Sequence, residues 1–333
     1  MSRFFELKKP IGIVEYASAS GPLEKNGPIG HLIDWTFDKD DLSEKTYEKS
    51  EFALYKCVVN GVLEKTGINR DDIDFMTGGD LLNQIESSNF SARDLQIPFI
   101  GIYGACSTFA QSLLINSMLL STYGKYAISV TSSHFSTAER QFRYPLEFGN
   151  QRARTTQWTV TGAGSMLLTS EEQDINITKV IIGKIIDLGV TDAANMGAAM
   201  APAACDTIYN YFQLSGDDPK SYDYIVTGDL GAIGTELLYV LLAEKGLDIK
   251  KNHVDCGLII YGEDEKRECG GSGCGCSALV MCAKILNEFK DKKIKKVFYA
   301  ATGALLSTVS TLQGESIPSI VHGVCIEAKG DSK

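Results

Sequence analysis

Short apolar runs alternate along this chain with longer segments whose apolar residues recur at helical spacing. Residues 11–15 and 73–77 are apolar runs of strand length, and residues 44–65 have the pattern of an amphipathic helix that stops at Gly67. Further strands are predicted at 99–103, 180–186, 224–227, 256–261 and 297–301. One helix is predicted to end at 92–95, and others are predicted to begin near Ala201, Ile233 and Cys276. Such alternation predicts parallel or mixed sheets with helices on their faces.

One connection in this pattern is unusually long. Residues 18–30 read Ser-Ala-Ser-Gly-Pro-Leu-Glu-Lys-Asn-Gly-Pro-Ile-Gly, a composition rich in turn formers. Loops beyond about 12–15 residues are usually functional or disordered. We therefore expect this segment to lie as a loop against a neighbouring subunit or a ligand.

The chain also contains an internal repeat. Asp-Phe-Met-Thr-Gly-Gly-Asp80-Leu81 is echoed by Asp-Tyr-Ile-Val-Thr-Gly-Asp229-Leu230, and each copy is followed by a Cys-Ser pair that opens an apolar helix, at Cys106 and Cys276. Solenoid repeats run to about 20–50 residues, so a repeat of this length predicts two paired halves instead. We place the halves at residues 1–174 and 175–333.

Composition narrows the class of protein. The 333 residues carry 32 basic and 42 acidic side chains, a net charge of −10, and the one basic run, residues 290–296, has the character of a solvated helix end more than of a membrane patch. Nucleic acid is therefore not an expected partner. No stretch is apolar enough to span a bilayer or to form a signal peptide, and nine cysteines without a secretion signal predict free thiols in a reducing compartment.

Cys106 is the first residue with chemistry to consider. A strand ending at Tyr103 leads through Gly-Ala-Cys-Ser into a helix, which places the thiol at the positive end of that helix. Such positions lower the pKa of a thiol and favour a nucleophile. The alternative is a small buried apolar residue, the commoner role of a free cysteine. Without a partner base, the sequence favours this second interpretation.

Together these features resemble the thiolase-like superfamily, and several strings resemble the stage V sporulation protein AD family within it. They are Thr-Ser-Ser-His-Phe-Ser-Thr-Ala-Glu-Arg-Gln-Phe-Arg-Tyr-Pro at 131–145, Gly-Asp-Leu-Leu-Asn-Gln at 79–84, Met-Ala-Pro-Ala-Ala at 200–204, Gly-Gly-Ser-Gly-Cys-Gly-Cys at 270–276 and Ala-Ala-Thr-Gly-Ala-Leu-Leu at 300–306. The resemblance covers nearly the whole chain. It implies an α/β fold, a five-layer αβαβα sandwich made of two pseudo-repeated halves.

The same resemblance allows the catalytic positions of the superfamily to be checked. Where condensing enzymes carry a histidine and a second histidine or asparagine, this chain has Gly228 or Asp229 and Ser272, and a second cysteine is replaced within Thr302-Gly303-Ala304. A nucleophilic thiol without its base loses most of its catalytic effect, because these groups act as a unit. We expect no enzyme. The alternative is a cysteine-dependent acyltransferase or β-ketoacyl synthase-like enzyme that uses Cys106 as its nucleophile. In that case His134 is the histidine best placed to act as the base.

Metal and nucleotide sites are not predicted. Cys269, Cys274, Cys276 and Cys282 cluster in sequence, but Cys276 and Cys282 fall six apart on a predicted helix and lack the paired spacing of structural zinc sites. The glycine run at 270–275 has neither the dinucleotide nor the Walker spacing. The predictions are therefore no cofactor and no metal.

An anion site is predicted instead. If the halves pair as in the superfamily, the helix starts at Cys106 and Cys276 and the turn at Thr302 would converge, and free N–H groups there favour carboxylates. The resemblance supplies dipicolinic acid, moved into the developing spore, as the ligand. Arg140 either binds a ligand carboxylate or pins its loop. The expected ligand-binding residues are Cys106, Ser132, Ser133, His134, Arg140, Arg143, Ser272, Gly273, Thr302 and Gly303.

The remaining expectations also come from the resemblance. The family implies a place on the spore inner membrane beside membrane-embedded proteins of the same transport system, a role in germination, calcium accompanying dipicolinate, and a homodimer formed through the central strands. A third interpretation is a scaffold whose pocket is a relic.

Overall fold

Strands and helices alternate through the part of the chain that the computed structural model describes, residues 3–142 and 152–330. The strands are β1 Phe4–Ser20, β2 Trp35–Thr36, β3 Phe75–Gly79, β4 Phe99–Gly101, β5 Tyr126–Ser133, β6 Trp158–Thr159, β7 Gly162–Thr169, β8 Ile175–Ile181, β9 Tyr224–Thr227, β10 His253–Asp255, β11 Gly271–Ser272, β12 Lys296–Ala304 and β13 Ser319–Ala328. The helices are α1 Pro22–Lys25, α2 Tyr47–Thr66, α3 Glu86–Leu95, α4 Thr108–Leu120, α5 Phe135–Phe142, α6 Met196–Ser215, α7 Gly231–Glu244, α8 Cys256–Tyr261, α9 Cys274–Val280, α10 Leu286–Lys290 and α11 Thr308–Leu312, with a π-helical turn, Met281–Ile285, between α9 and α10.

Each half builds a five-stranded sheet with the same strand order, and the antiparallel pair β1–β8 joins the two sheets. The first has the strand order β1-β7-β5-β3-β4 and the second β8-β13-β12-β9-β10, so that in chain order each sheet runs first, fifth, fourth, second, third. In both sheets the last three strands of this order are parallel, and the other two pair antiparallel. The repeat is therefore structural as well as sequential. The expected boundary at 174 falls between β7 and β8.

Helices occupy three layers around these sheets. On the outer face of the first sheet α2 and α3 pack, and on the outer face of the second sheet α6 packs with α7 against it. Between the sheets lie α4, which contacts β5 and β13, and α9, which contacts β7. Most of α4 and all of α9 are buried, as expected for apolar helices covered on both sides. The predicted five-layer αβαβα sandwich is confirmed.

Side chains close to the backbone fix where the main helices begin and end. Thr46 begins α2 by accepting a hydrogen bond from the backbone N–H of Lys49 at 3.3 Å, and Gly67 ends it with φ of 69°. Asn195 begins α6 in the same way, through the N–H of Ala198 at 3.3 Å. This cap explains why α6 starts at Met196, five residues before the predicted start.

Three sequence predictions were wrong. The strand predicted at 180–186 is β8, which covers Ile175–Ile181 because its pairing with β1 and β13 lies over those residues. Residues 256–261 form the helix α8, not a strand, because the Asp255 carboxylate accepts from the N–H of Leu258 at 3.2 Å and so caps a helix. Residues 18–30 are not an open loop. The strand β1 continues to Ser20, α1 follows, and Glu24 within α1 is buried.

Within the described ranges, no helix has both the length and the apolar character needed to cross a bilayer.

Candidate ligand-binding site

Equivalent segments of the two halves meet at one point, next to the start of α4. The end of β12 lies so close to the turn before α4 that a Cβ on Gly303 would overlap the carbonyl oxygen of Gly104. The start of α9 is tied to the segment after β9, because the Gly273 N–H donates to Asp229 Oδ2 at 3.0 Å. The predicted convergence of the Cys106 segment with the 302–303 turn is therefore present, and the start of α9 joins it at Gly273.

A thiol and a carboxyl group form the centre of this junction. The Cys106 thiol is hydrogen-bonded to the carboxyl of Asp229. Thr302 Oγ1 donates to Asp229 Oδ1 at 2.6 Å and accepts from the Asp229 backbone N–H at 2.9 Å. Asp229 is fully buried, and burial raises the pKa of its carboxyl to about 7. This carboxyl therefore titrates near neutral pH, unlike an ordinary aspartate.

The prediction that the helix start lowers the pKa of the Cys106 thiol was wrong. Burial raises this pKa well above its usual value, and the negative charge of Asp229 raises it further. A helix end contributes at most about 2 kcal/mol to an anion in a partly buried site. Removal of the thiolate from water outweighs that contribution, so Cys106 is a neutral thiol.

Asp229 was missed as a site residue although the repeat pointed to it. An aspartate of ordinary pKa is a poor base at neutral pH, and the burial that raises the pKa of Asp229 cannot be recognised from the sequence. Its counterpart Asp80 is held differently: Oδ1 accepts from the Leu82 N–H at 2.8 Å, and Oδ2 from the hydroxyl of Ser88 at 2.6 Å. Burial raises the pKa of Asp80 to about 6.

Cys106 lines the inner of two adjoining cavities. The inner one has a volume of about 30 Å³, enough for one or two water molecules, and is lined by Leu81, Tyr103, Ala105, Cys106, Ala138, Phe142, Thr159, Met196, Ser272, Ala304 and Leu306. The outer one, of about 710 Å³, shares Tyr103, Phe142 and Leu306 with it. Amide and hydroxyl side chains lie along the outer cavity, from Asn83, Gln84, Gln141, Ser307 and Thr308. Its size is that of a small-molecule site.

Comparison with known proteins identifies the family of this chain. The family model of stage V sporulation protein AD matches residues 2–327. Stage V sporulation protein AD of Bacillus subtilis (strain 168) is 44% identical over 322 residues, which cover 96% of this chain and 95% of that protein. This chain belongs to the stage V sporulation protein AD family. It is therefore a sporulation protein, as the sequence motifs predicted.

Solved structures with the same fold come from enzymes of the thiolase-like superfamily. The 3-oxoacyl-[acyl-carrier-protein] synthase III of Aquifex aeolicus VF5 has a TM-score of 0.59 at 12% identity, over 95% of this chain and 99% of that one. The Acat5 thiolase of Ascaris suum, solved in complex with coenzyme A, has a TM-score of 0.60 at 11% identity, over 96% of this chain and 100% of that one. At such identities the likeness establishes the fold alone.

Three of the predicted ligand-binding residues, Ser132, Ser133 and His134, line neither of these cavities. Ser132 Oγ donates to Glu51 Oε1 at 3.1 Å, and Ser133 Oγ donates to the Val160 carbonyl at 2.7 Å. His134 Nε2 lies 2.7 Å from the Asp40 carbonyl oxygen, and its Nδ1 accepts from a backbone N–H. Burial lowers the pKa of this imidazole. These three side chains tie their strand to neighbouring elements, so the expectation that Ser133 and His134 face the pocket was wrong.

The other predicted residues divide into two groups. Cys106 and Ser272 line the inner cavity, with Gly273, Thr302 and Gly303 immediately behind it. Arg140 is about half exposed and pairs with Glu48. Of its two predicted roles, this pair supports the one in which Arg140 pins its loop. Arg143 lies outside the described residues.

Proposed function

We propose that this protein binds dipicolinic acid without using Cys106 as a nucleophile and acts in its uptake into the developing spore. Membership of the sporulation family supplies the setting. The observation that carries the proposal is the junction beside the cavities, where a neutral thiol bonded to a buried carboxyl stands in the place of a reactive cysteine. The thiolate is the nucleophilic form of cysteine, and the pKa of Cys106 is raised.

The cavities support an aromatic dicarboxylate as the ligand. The inner cavity of about 30 Å³ suits a single carboxylate group, and the outer cavity of about 710 Å³ has room for a pyridine ring and the second carboxylate. Tyr103, Phe142 and Leu306 form the wall that the two cavities share and offer apolar contact to a flat ring. Amide donors such as Asn83 and Gln141 lie along the outer wall.

The wider role follows from the same family. We propose that the protein works at the spore inner membrane beside membrane-embedded proteins of the transport system, handles dipicolinate together with calcium, and acts again in germination. It would present the ligand to those partners, and they would carry it across the bilayer.

Calorimetric titration tests the ligand directly. We expect dipicolinate to bind about 10- to 150-fold more tightly than pyridine, because each charge-assisted hydrogen bond to a carboxylate contributes roughly 1.5–3 kcal/mol. Titrations with and without calcium would define the bound species. Equal affinities for dipicolinate and the neutral ring would contradict carboxylate recognition.

A cysteine-dependent acyltransferase is the competing function. The observation in its favour is that Asp229, with a pKa of about 7, could accept a proton from Cys106 near neutral pH. Incubation with acyl-coenzyme A followed by mass spectrometry separates the two functions. A stable acyl adduct on Cys106, absent in Cys106→Ala, would favour the enzyme.

We also propose a homodimer formed along β4. This strand ends its sheet, and Ile100 on it is 42% exposed, an arrangement that invites pairing with a second copy. Ile100→Lys is expected to convert the dimer to a monomer in light-scattering measurements, because a charge at the pairing edge opposes association. Ile233→Lys is the matched control, since Ile233 is 37% exposed but lies on α7 in the other half. A dimer that persists in Ile100→Lys, or dissociates equally in both variants, would exclude β4 as the interface.

A further inference from the structure

The Cys106 thiol stands between the inner cavity and the carboxyl of Asp229. Cys106 lines the inner cavity, and its thiol is hydrogen-bonded to the carboxyl of Asp229. The two oxygens of Asp229 are further engaged by Thr302 Oγ1 and by the Gly273 N–H. Asp229 can therefore act on a molecule in the cavity through the sulfur of Cys106.

We propose that Asp229 is a positioning residue that directs the proton of the Cys106 thiol, so that carboxylate binding in the inner cavity takes up one proton. This inference rests on the proposed function. When Asp229 is ionised, the neutral thiol donates a hydrogen bond to the carboxylate, and the sulfur lone pairs are left to face the cavity. When Asp229 is protonated, its O–H donates to sulfur, and the S–H is free to donate to a ligand carboxylate. The proton comes from water, and no covalent bond changes.

The surroundings of Asp229 favour this exchange near neutral pH. Several titratable groups affect the charge of Asp229 or are affected by it. They come from the turn before α4 and from β10, α8, α9 and β12, and they are Cys106, Asp255, Cys256, Cys274, Cys276 and Tyr299. None of these is a cation, and the Cys106 thiol is the one among them that stabilises the ionised carboxyl, by donating a hydrogen bond to it. Burial, with a smaller contribution from Asp255, gives Asp229 a pKa of about 7. A ligand carboxylate entering beside the sulfur adds one more negative charge and favours the protonated form further.

The affinity for dipicolinate should accordingly depend on pH. If only the protonated form binds well, the apparent Kd rises about tenfold from pH 6 to pH 8, because the competent fraction falls with the titration of Asp229. Asp229→Asn is expected to bind with a Kd that changes less than about twofold over this range. Thr302→Val removes a donor to the carboxylate, which raises the Asp229 pKa, and should move the midpoint to higher pH.

Glu24 offers a matched control for these titrations. Its carboxyl is also buried and has a pKa raised to about 7, but Oε1 accepts from the Thr161 N–H at 3.1 Å and from the Tyr261 hydroxyl at 2.6 Å, and Glu24 does not line the inner cavity. Glu24→Gln should keep the full tenfold change in Kd, since its carboxyl does not bond to Cys106. Melting temperatures measured alongside would identify any variant that fails to fold.

Infrared difference spectra provide a readout that needs no ligand. The S–H stretching band of Cys106, identified by its loss in Cys106→Ala, should shift between pH 6 and pH 8 in the parent and in Glu24→Gln but not in Asp229→Asn. An unshifted band in the parent would overturn the proposal that Asp229 directs the proton of the Cys106 thiol. Binding with a flat pH profile would overturn the inference alone, whereas absence of dipicolinate binding at every pH would overturn the proposed function and the inference with it.

Discussion

Replacing Asp255 with alanine is expected to lower the free energy of unfolding by about 3–5 kcal/mol and to displace the segment that carries Asp229. Asp255 is buried, and its Oδ2 accepts from Thr227 Oγ1 at 2.7 Å and from the Leu230 N–H at 2.8 Å. Its Oδ1 accepts from the backbone N–H groups of Gly231 and Leu258 at 3.1 and 3.2 Å. Alanine would leave these four donors buried without this acceptor, and each unsatisfied group costs roughly 1–3 kcal/mol.

Chemical denaturation of the variant, followed by fluorescence, would measure this loss. Asp218 is the matched control, because it caps a short helical turn through the Lys220 N–H at 2.9 Å but lies exposed. Asp218→Ala should cost no more than about 1 kcal/mol, since water can replace an exposed cap. Similar losses for Asp218→Ala and Asp255→Ala would mean that burial of the Asp255 network contributes little.

Stability should also fall as the pH rises from 5 to 8. Burial raises the pKa of Asp229 and of Glu24 to about 7 in the folded protein, above the values near 4 of an unfolded chain. A group whose folded pKa is raised stabilises the protein fully below its unfolded pKa, and this stability is lost as the pH rises through the folded pKa. Over this interval each of the two carboxyls accounts for a loss of about 3 kcal/mol.

Denaturation midpoints at several pH values would test this expectation. Asp229→Asn and Glu24→Gln should each flatten the profile by about half, and the double variant should lose most of the dependence that these groups cause. Asp80, with a pKa of about 6, contributes a smaller part at lower pH. Stability that stays constant or increases from pH 5 to pH 8 in the parent would contradict raised pKa values at both sites.

The fold was largely predictable because its signals are local. Strands such as β3 and β9 are short apolar runs, and the repeated segments ending at Asp80 and Asp229 occupy equivalent places in matching sheets. The helix α8 was missed because its sequence is apolar without periodicity, and what makes it a helix is a side-chain cap from Asp255. Short apolar runs do not by themselves distinguish strand from helix.

The site was less predictable because its chemistry depends on contacts between distant segments. Cys106 was found from its position before a helix, but the pKa of its thiol is set by burial and by Asp229, which comes from the other half. Ser133 and His134 looked like ligand donors because they are polar and follow a strand, yet both satisfy neighbouring backbone groups. The sequence identified a polar cluster, and only tertiary packing shows which members face a cavity.

The pair β1–β8, which joins the two sheets, has a consequence for biosynthesis. The first strand of the chain, β1, has only the short β2 to pair with until β7 and then β8 have been made, and its inner face is covered in part by α9, from later still in the chain. Contacts between such distant segments form slowly, and chains that await them expose apolar surface. During synthesis on the ribosome, the apolar segment β1 must therefore stay largely unpaired until about half of the chain has been made, since β7 ends at Thr169 of 333 residues. An apolar segment exposed for that long is a site for chaperone binding.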